Sequence, residues 1–330
     1  VIHADAPVRI CDIGGWTDTW FGGPGRVLNI AARPGVRVTV SRAESHHPVV
    51  IDLPDFGERY PIWPGGPRSV RHPVLEAAVD VYATHLPVPV EIMVSSSVPP
   101  GCATGTSAAV AVAGVGALLS AAGRSWSAQE IALAAHRLEV EVLGGESGVQ
   151  DQLCAAFGGI SHISVDDYPQ ATVEPLPAWS QLESLITVVY LGRAHHSTEV
   201  HRQVIERISF GQGEAFAQLR AATADAYDAV VARDLRAFGR AMATNTAAQA
   251  AIHPQLVGAD ARAVIETAAD FGALGWKVNG AGGDGGSLTL LNPTTAAKSA
   301  LDRRIIDLDP SYRLLDLQPC AGGLTVTGSL

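Results

Sequence analysis

Lysine is almost missing from these 330 residues: Lys277 and Lys298 are the two, and every other basic side chain is an arginine. Any cation that chemistry requires here is therefore expected to be a guanidinium. Cysteine is also scarce. Cys11, Cys102, Cys154 and Cys320 lie far apart, with no CxxC or Cys/His ligand spacing. That spacing matches no thiolate metal motif and reads as buried or free thiols in a reducing compartment. Long apolar runs are lacking too. The longest low-polarity stretch, Ala108 to Ala122, is interrupted by Ser120 and is too short for a bilayer. Val1 to Arg9 has no charged-then-apolar leader layout, so a cytoplasmic protein with no membrane partner is expected. Positive charge is in deficit, 23 Lys and Arg against 33 Asp and Glu, a formal net of −10. Such a surface repels phosphate backbones and anionic lipids, so no nucleic-acid partner is expected. One anionic ligand in a local electropositive pocket remains compatible.

What is present is a globular composition. Hydrophobic residues make up 47% and charged residues 17%, which excludes disorder and coiled coil. The length suits roughly two domains of ~100–200 residues, large enough to fold without covalent staples. Val36–Ser41 and Val88–Ser95 alternate as strands, and Pro73–His85 carries helical spacing. A Gly/Thr/Ser loop, Pro99–Ser107, opens a helix running to about Ala122. Ser127 with Glu130 caps another, running to about Leu143. Asp166–Ser180, with three prolines, reads as the domain joint, followed by a buried strand over Leu185–Leu191. Helices are expected over Glu199–Arg207, Glu214–Arg233, Leu235–Ala250, Ala259–Phe271 and Thr294–Asp302. A glycine-rich hairpin is expected over Gly272–Leu291, and short strands near Arg313–Leu315 and Gly323–Thr327. No internal repeat or low-complexity segment is seen.

Four segments have the makings of chemistry. In Pro99–Ala109 (PPGCATGTSAA), Gly101 and Gly105 permit tight turning, and Thr106 and Ser107 fall on the first helical turn. A helix N-terminus presents unpaired N–H donors and partial positive charge, which suits a polyphosphate. No lysine follows the glycines, so this is not the Walker pattern. In Val149–Gly159 (VQDQLCAAFGG), Asp151 suits a carboxylate that orients or deprotonates a hydroxyl. Glu139, twelve residues earlier, would suit a Mg²⁺ ligand if the chain folds back after Gly144–Gly145. Taken singly, each is as readily a cap or a solvated helix face.

Ala6–Asp18 (APVRICDIGGWTD) leads a strand bearing Arg9 into a Gly-Gly turn and Asp18. Gly15, Trp16, Thr17 and Asp18 there suit a polyhydroxylated ligand, because carboxylates accept sugar hydroxyls and an aromatic face covers sugar C–H groups. Lys277–Leu288 (KVNGAGGDGGSL) holds five glycines, more than a turn requires. Close approach to another backbone or a ligand is the mechanism expected for it.

In this order and spacing the four segments resemble the GHMP small-molecule kinases over essentially the whole chain. GGWTDT beside GTS and VQDQ…FGG is most similar to the sugar 1-kinase branch, the L-fucokinase domain and the D-glycero-D-manno-heptose 7-phosphate kinases. The resemblance implies an α+β, two-domain fold. Its N-terminal half, 1–178, would be like ribosomal protein S5 domain 2 and would bind ATP; its C-terminal half, 179–330, would be ferredoxin-like. It implies ATP and Mg²⁺ as cofactors, with Asp151 and Arg9 catalytic. Pro100, Gly101, Cys102, Ala103, Thr104, Gly105, Thr106 and Ser107 would hold the nucleotide, with Ser107 and Glu139 at the metal. Gly15, Trp16, Thr17 and Asp18 would hold the sugar. Gly280–Gly286, including Gly282 and Gly283, would close the site.

Departures from the family pattern are Cys102-Ala103-Thr104 before Gly105, Asp284 among the glycines, and YLGRAHHS where related kinases carry an arginine after a Tyr-Thr-Gly turn. The expected activity is phosphorylation of a sugar, first the anomeric hydroxyl of a heptose 7-phosphate, by a homodimer-forming enzyme. L-Fucokinase-like, galactokinase-like and cyclitol kinases are the alternatives. From other classes, a non-catalytic sugar sensor is disfavoured by retention of Arg9 with Asp151, and decarboxylation of a phosphorylated acid by GGWTD. Arg33, Arg193, His195, His196 and Arg202 are the candidates for a terminal phosphate of the sugar.

Overall fold

The computed structural model describes residues 1–330 except 45, 67–69, 85, 195–201, 203, 207 and 209–212. Two long strands, β1 (Ile2–Ile13) and β2 (Gly25–Arg42), form the spine of the first sheet. β2 pairs with β1 along one edge. On the other it pairs first with β6 (Ile160–Asp167) and then with β5 (Val90–Ser96). β5 continues in parallel to β3 (Val49–Leu53), which turns into β4 (Glu58–Ile62). β7 (Gln170–Leu176) hairpins onto β6.

Four helices pack on this sheet: α1 (Pro73–Tyr82), α2 (Thr106–Ala121), α3 (Ala128–Arg137) and α4 (Gln150–Phe157). α2 is built almost wholly of Ala, Gly, Val and Leu and is buried along most of its length, because small side chains let it lie close to the strands. The expected Ser127–Glu130 capping box is present at α3.

A short helix, α5 (Ser180–Leu185), leads into the second sheet. Its antiparallel order is β11 (Arg313–Leu315), β8 (Ile186–Tyr190), β10 (Ser287–Leu291), β9 (Gly275–Val278). The helices of this half are α6 (Glu214–Ala232), α7 (Leu235–Ile252), α8 (Ala259–Asp270) and α9 (Thr295–Ile306). The architecture is the expected α+β arrangement in two halves. Among the described residues no helix is long and apolar enough to cross a membrane.

Four differences from the sequence reading have physical reasons. Most of the expected joint, Asp166–Ser180, is β-structure. β7 pairs only with β6, so its outer edge tolerates Pro175; the prolines of this segment mask the short alternation of Ala171 and Val173 with Gln170, Thr172 and Glu174. The strand expected from Leu185 starts one residue later, because α5 runs through Leu185. α9 extends to Ile306, where Leu301 and Ile305 are its buried residues. The half expected over 179–330 is not closed on itself. β12 (Gln318–Pro319) pairs with β2, and β13 (Thr325–Gly328) pairs with β1, so the chain returns to the first sheet. The proposed boundary at 178/179 falls between β7 and α5. The helix expected over Glu199–Arg207 lies largely outside the described residues.

The returning segment is seated by glycine. Gly158 has φ +74°, and a Cβ there would stand 2.2 Å from the Gly323 nitrogen. Gly158→Ala is expected to destabilise the chain by about 1–3 kcal/mol from backbone strain alone. Urea unfolding checks the magnitude. Hydrogen exchange should show the Leu324 amide, which donates to the Ala156 carbonyl at 3.2 Å, losing protection first.

Candidate active site

A cleft of about 440 Å³ opens where α2, α4 and the glycine segments of β1 and β9 converge. Its floor is set by β1. Arg9 is 4% exposed, and its guanidinium donates to both Asp151 oxygens, Nε to Oδ1 at 2.8 Å and Nη2 to Oδ2 at 3.2 Å. Nη1 donates to the Ala103 carbonyl, and the Arg9 amide donates to the Thr104 carbonyl at 2.9 Å. One residue of β1 thus fixes both the loop before α2 and the start of α4. Burial opposes the charge on Arg9, but Asp12 and Asp151 outweigh it and raise its pKa.

The loop before α2 runs through left-handed residues at Gly101, Ala103 and Gly105. Gly105, the residue before α2, has φ +69°, and a Cβ there would press on Asp151 at 3.1 Å and Arg9 at 3.3 Å. The Cys102 thiol lies 2.9 Å from the Thr104 hydroxyl, and the Ser287 hydroxyl donates to the Cys102 carbonyl at 2.6 Å. Thr106 and Ser107 sit on the first turn of α2 at the cleft.

Glu139 reaches the same place from a π-helical turn, Leu138–Val142, that continues α3. Its carboxylate accepts from Ser107 Oγ at 3.4 Å, Ser147 Oγ at 3.2 Å and Gln152 Nε2 at 3.0 Å. Burial and then the Asp151 charge push its pKa up to about 7. A hydroxyl and a strained carboxylate beside a helix N-terminus fit Mg²⁺, which is usually held by one or two carboxylates plus substrate phosphates. No larger cluster of His, Cys, Asp and Glu that could hold a metal is found among the described residues.

Asp18 is 1% exposed, and its Oδ2 accepts from the Gln150 amide at 3.0 Å. Burial moves its pKa up to about 6, with the Asp151 charge adding to the shift. Trp16, 4% exposed, belongs to a small core with Phe21, Phe216, Leu219 and Leu256, so little of its ring is open for stacking.

The cleft therefore gathers Arg9, Asp151, Gly101–Ser107, Glu139, Trp16 and Asp18 from the residues singled out in the sequence. Pro100, Gly15, Thr17, Gly282 and Gly283 are not among its walls. Thr17 is a buried staple, donating to the Gly14 carbonyl at 2.7 Å and accepting from the Arg26 amide at 2.9 Å. Gly15 leaves room for Asp12, whose Oδ2 would be 2.7 Å from a Cβ. Gly282 and Gly283 pack on the turn at Leu256, with the Gly283 amide donating to its carbonyl at 2.9 Å. Gly280 is the glycine that meets the loop: at φ +63° a Cβ would lie 3.0 Å from Arg9 Nη2 and 3.2 Å from the Ala103 carbonyl.

The expected phosphate cluster is not assembled by the described residues. Arg33 donates to the Gly323 carbonyl at 2.9 Å; Arg193 pairs with Asp260 and, at 3.5 Å, with Asp284; Arg202 bonds Glu206 at 2.5 Å. His195 and His196 lie outside the described residues.

Sequence reasoning missed two groups. Glu146, Ser147, Gly148, Gln150 and Thr19 line the cleft from the turn before α4 and from the turn after β1. Behind it, α7 presents Asn245 and Gln249 one turn apart. Asn245 accepts from the Gly14 amide at 2.6 Å, and Gln249 donates to the Gly280 carbonyl at 3.0 Å. Two buried amides on an alanine-rich helix were the available signal.

The comparisons with known proteins agree with this geometry. Residues 73–159 match the model of the GHMP kinases N terminal domain. The mevalonate kinase of Thermococcus onnurineus is 32% identical over 224 residues, 64% of this chain and 62% of that one. The D-glycero-alpha-D-manno-heptose 7-phosphate kinase of Campylobacter jejuni is 22% identical over 309 residues, 89% of this chain and 90% of that one. Among solved structures, a D-glycero-D-manno-heptose 1-phosphate kinase from Bacteroides thetaiotaomicron superposes with a TM-score of 0.78 at 19% identity, covering 99% of each chain. The chain spans 33% and 62% of the length of the first mevalonate kinases it matches. Residues 73–159 thus resemble a GHMP kinase N-terminal domain, and the chain has the GHMP kinase fold. Within that fold its relatives include both heptose phosphate kinases and mevalonate kinases.

The raised pKa of Asp18 makes a stability prediction. A carboxyl whose folded pKa lies above its unfolded value stabilises the fold at low pH and loses that contribution as pH rises through about 6. Asp18→Asn removes the buried charge while still accepting from the Gln150 amide. Its unliganded form is expected to gain about 1–3 kcal/mol on the parent between pH 4 and pH 8. Urea titrations at the two pH values check this; equal stability differences at both would refute it.

Proposed function

We propose that this protein is an ATP- and Mg²⁺-dependent sugar kinase acting on the anomeric hydroxyl of a heptose 7-phosphate. The observation that carries the reading is the bidentate Arg9–Asp151 pair beneath the glycine loop at the start of α2, in one cleft with the buried Asp18. Phosphoryl transfer depends mainly on positioning and electrostatics, and these groups supply both. In this reading the loop and the first turn of α2 take the phosphates. Ser107 and Glu139 would hold Mg²⁺, which would supply neutralisation of phosphate charge. Asp151 orients the acceptor hydroxyl and takes its proton, while Arg9 faces the charge that develops on the transferring group.

The acceptor side favours a polyol. Asp18, Glu146 and Asp151 are hydrogen-bond acceptors, and Arg9 is the one cationic side chain among the described residues that line the cleft. A 7-phosphate stands at the opposite end of the sugar from C1, so it does not have to enter this acidic end. The long alignment with the Campylobacter heptose 7-phosphate kinase supports the heptose over mevalonate. Unphosphorylated L-fucose is the second reading, favoured by the commitment of Arg33 and Arg193 to other partners.

The test is ADP release over a panel of heptose 7-phosphate, free heptose, L-fucose, galactose and mevalonate. Heptose 7-phosphate is expected to give the highest kcat/KM, with a margin over free heptose that shrinks from pH 6 to pH 8 if His195 and His196 contact its phosphate. Preference for mevalonate, or no turnover with any of the five, would overturn the proposal.

Two sets of variants examine the roles. Asp151→Asn is expected to retain nucleotide binding while losing at least ~10²-fold in turnover, the scale of a lost acid–base group. Arg9→Ala should fall in the same range. Glu139→Gln should raise the Mg²⁺ concentration giving half-maximal activity, whereas Glu141→Gln, at an exposed position outside the cleft, should leave it unchanged. Equal effects of the two would return Glu139 to an ordinary helix-face residue.

A further inference from the structure

Beneath the catalytic pair lies a second buried charge pair that the reaction outlined above does not use. Asp12 and Lys277 have side chains 0% and 1% exposed. Lys277 Nζ donates to Asp12 Oδ1 at 3.4 Å, to Gln249 Oε1 at 3.3 Å and to the Val278 carbonyl. The same Asp12 oxygen accepts from the Gly280 amide at 2.9 Å and stands 3.7 Å from Arg9 Nη1. Arg9 therefore lies between two carboxylates, Asp151 in the cleft and Asp12 behind it. Its short, bidentate contact is with Asp151 and its long one with Asp12. A lone buried Asp12 would compete for the guanidinium, because an uncompensated charge in a low-dielectric interior strongly attracts the nearest opposite charge. Lys277 offsets the Asp12 charge from the other side, through Oδ1.

We propose that Lys277 is a positioning residue: by neutralising Asp12 it leaves the Arg9 guanidinium committed to Asp151, and through Gly280 it couples the β9–β10 hairpin to the phosphate-type loop. The proposal rests on the roles given to Arg9 and Asp151 above and adds what holds them. Lys277 touches none of the reacting atoms. Its side chain is absent from the cleft walls, and it acts through Asp12.

The experiment compares Lys277→Met, nearly isosteric and neutral, with the double variant Asp12→Asn/Lys277→Met. In the single variant Asp12 keeps its charge and only Arg9 remains to offset it, so the guanidinium is drawn from Asp151. The turnover number should fall ~10²-fold, as misplacement of a catalytic group by about 1 Å does, with KM for the sugar changing only a few-fold. In the double variant the competing carboxylate is gone, and kcat should return to within about tenfold of the parent, a marginal recovery counting as none. A role confined to stability predicts instead that the double variant stays as slow as the single one, or that KM and kcat change together; either result overturns the proposal.

A readout independent of any substrate separates this from the kinase reading. In nitrogen-15 NMR the Arg9 Nε–H signal, assigned with Arg9→Lys, should be sharp and protected in the parent, shifted and rapidly exchanging in Lys277→Met, and restored in the double variant. If Lys277→Met does not fold, the double variant alone decides. A parent-like Arg9 signal supports the proposal, and a folded double variant with a lost signal refutes it. An enzyme inactive on every sugar but showing this NMR pattern would leave the positioning role standing and dismiss the substrate assignment.

Discussion

A fully buried carboxylate, Asp12, governs how the two halves of this protein meet. Burial works against its charge, yet Arg9 and Lys277 outweigh that penalty and keep its pKa below the ordinary value. The groups that neutralise it come from β1, from β9 and from the glycine turn after β9, so the two sheets cannot slide independently while it stays satisfied. Removing one partner of such a set leaves an isolated buried ion, which is far more destabilising than the intact set is stabilising. Specificity of docking, more than net stability, is what the arrangement supplies.

From that junction the site is assembled by backbone as much as by side chains. Arg9 grips two loop carbonyls and a carboxylate. Ser287 reaches the Cys102 carbonyl, and Asn279 accepts from the Cys11 amide. α7 completes the frame, with Asn245 on the turn after β1 and Gln249 on the turn after β9. The glycine segments of the two halves are thus held by one helix, at a separation fixed by a single helical turn.

Much of this frame was legible in the chain, and the reasons for the rest are specific. The loop before α2, the capping box at α3 and the β9–β10 hairpin are local, so turn residues and periodicity reveal them. Asp151 and Asp18 were found because glycine and polar residues crowd around them. Asp12 sits in the same motif as Arg9, but nothing local says that its partner is 265 residues away. The meeting of Glu139 with Ser107 depends on a π-helical turn, which shifts side-chain direction in a way that ordinary 3.6-residue spacing cannot foretell. Thr17, Gly282 and Gly283 lie outside the cleft walls and bond within the turns, a distinction that a glycine-rich motif does not display. β7 was hidden because the prolines around it read as a joint, although an edge strand is where a proline is tolerated and Gln170–Glu174 alternate.

The return of β12 and β13 to the first sheet has a consequence for the order of events during synthesis. Ile2 pairs with Gly328, so this part of β1 lacks a neighbour on one side until residues 325–328 have been made. During translation at about 5–20 residues per second, that edge of the nascent sheet is open to wrong partners for tens of seconds. Pairings of such large sequence separation also slow folding, since loop closure precedes any gain from the contact. The loop before α2, by contrast, has Arg9 and Asp151 beside it from the first half of the chain, and only its contacts with Gly280 and Ser287 wait for the second. The topology thus lets the loop before α2 gain its first supports while one edge of β1 is still open.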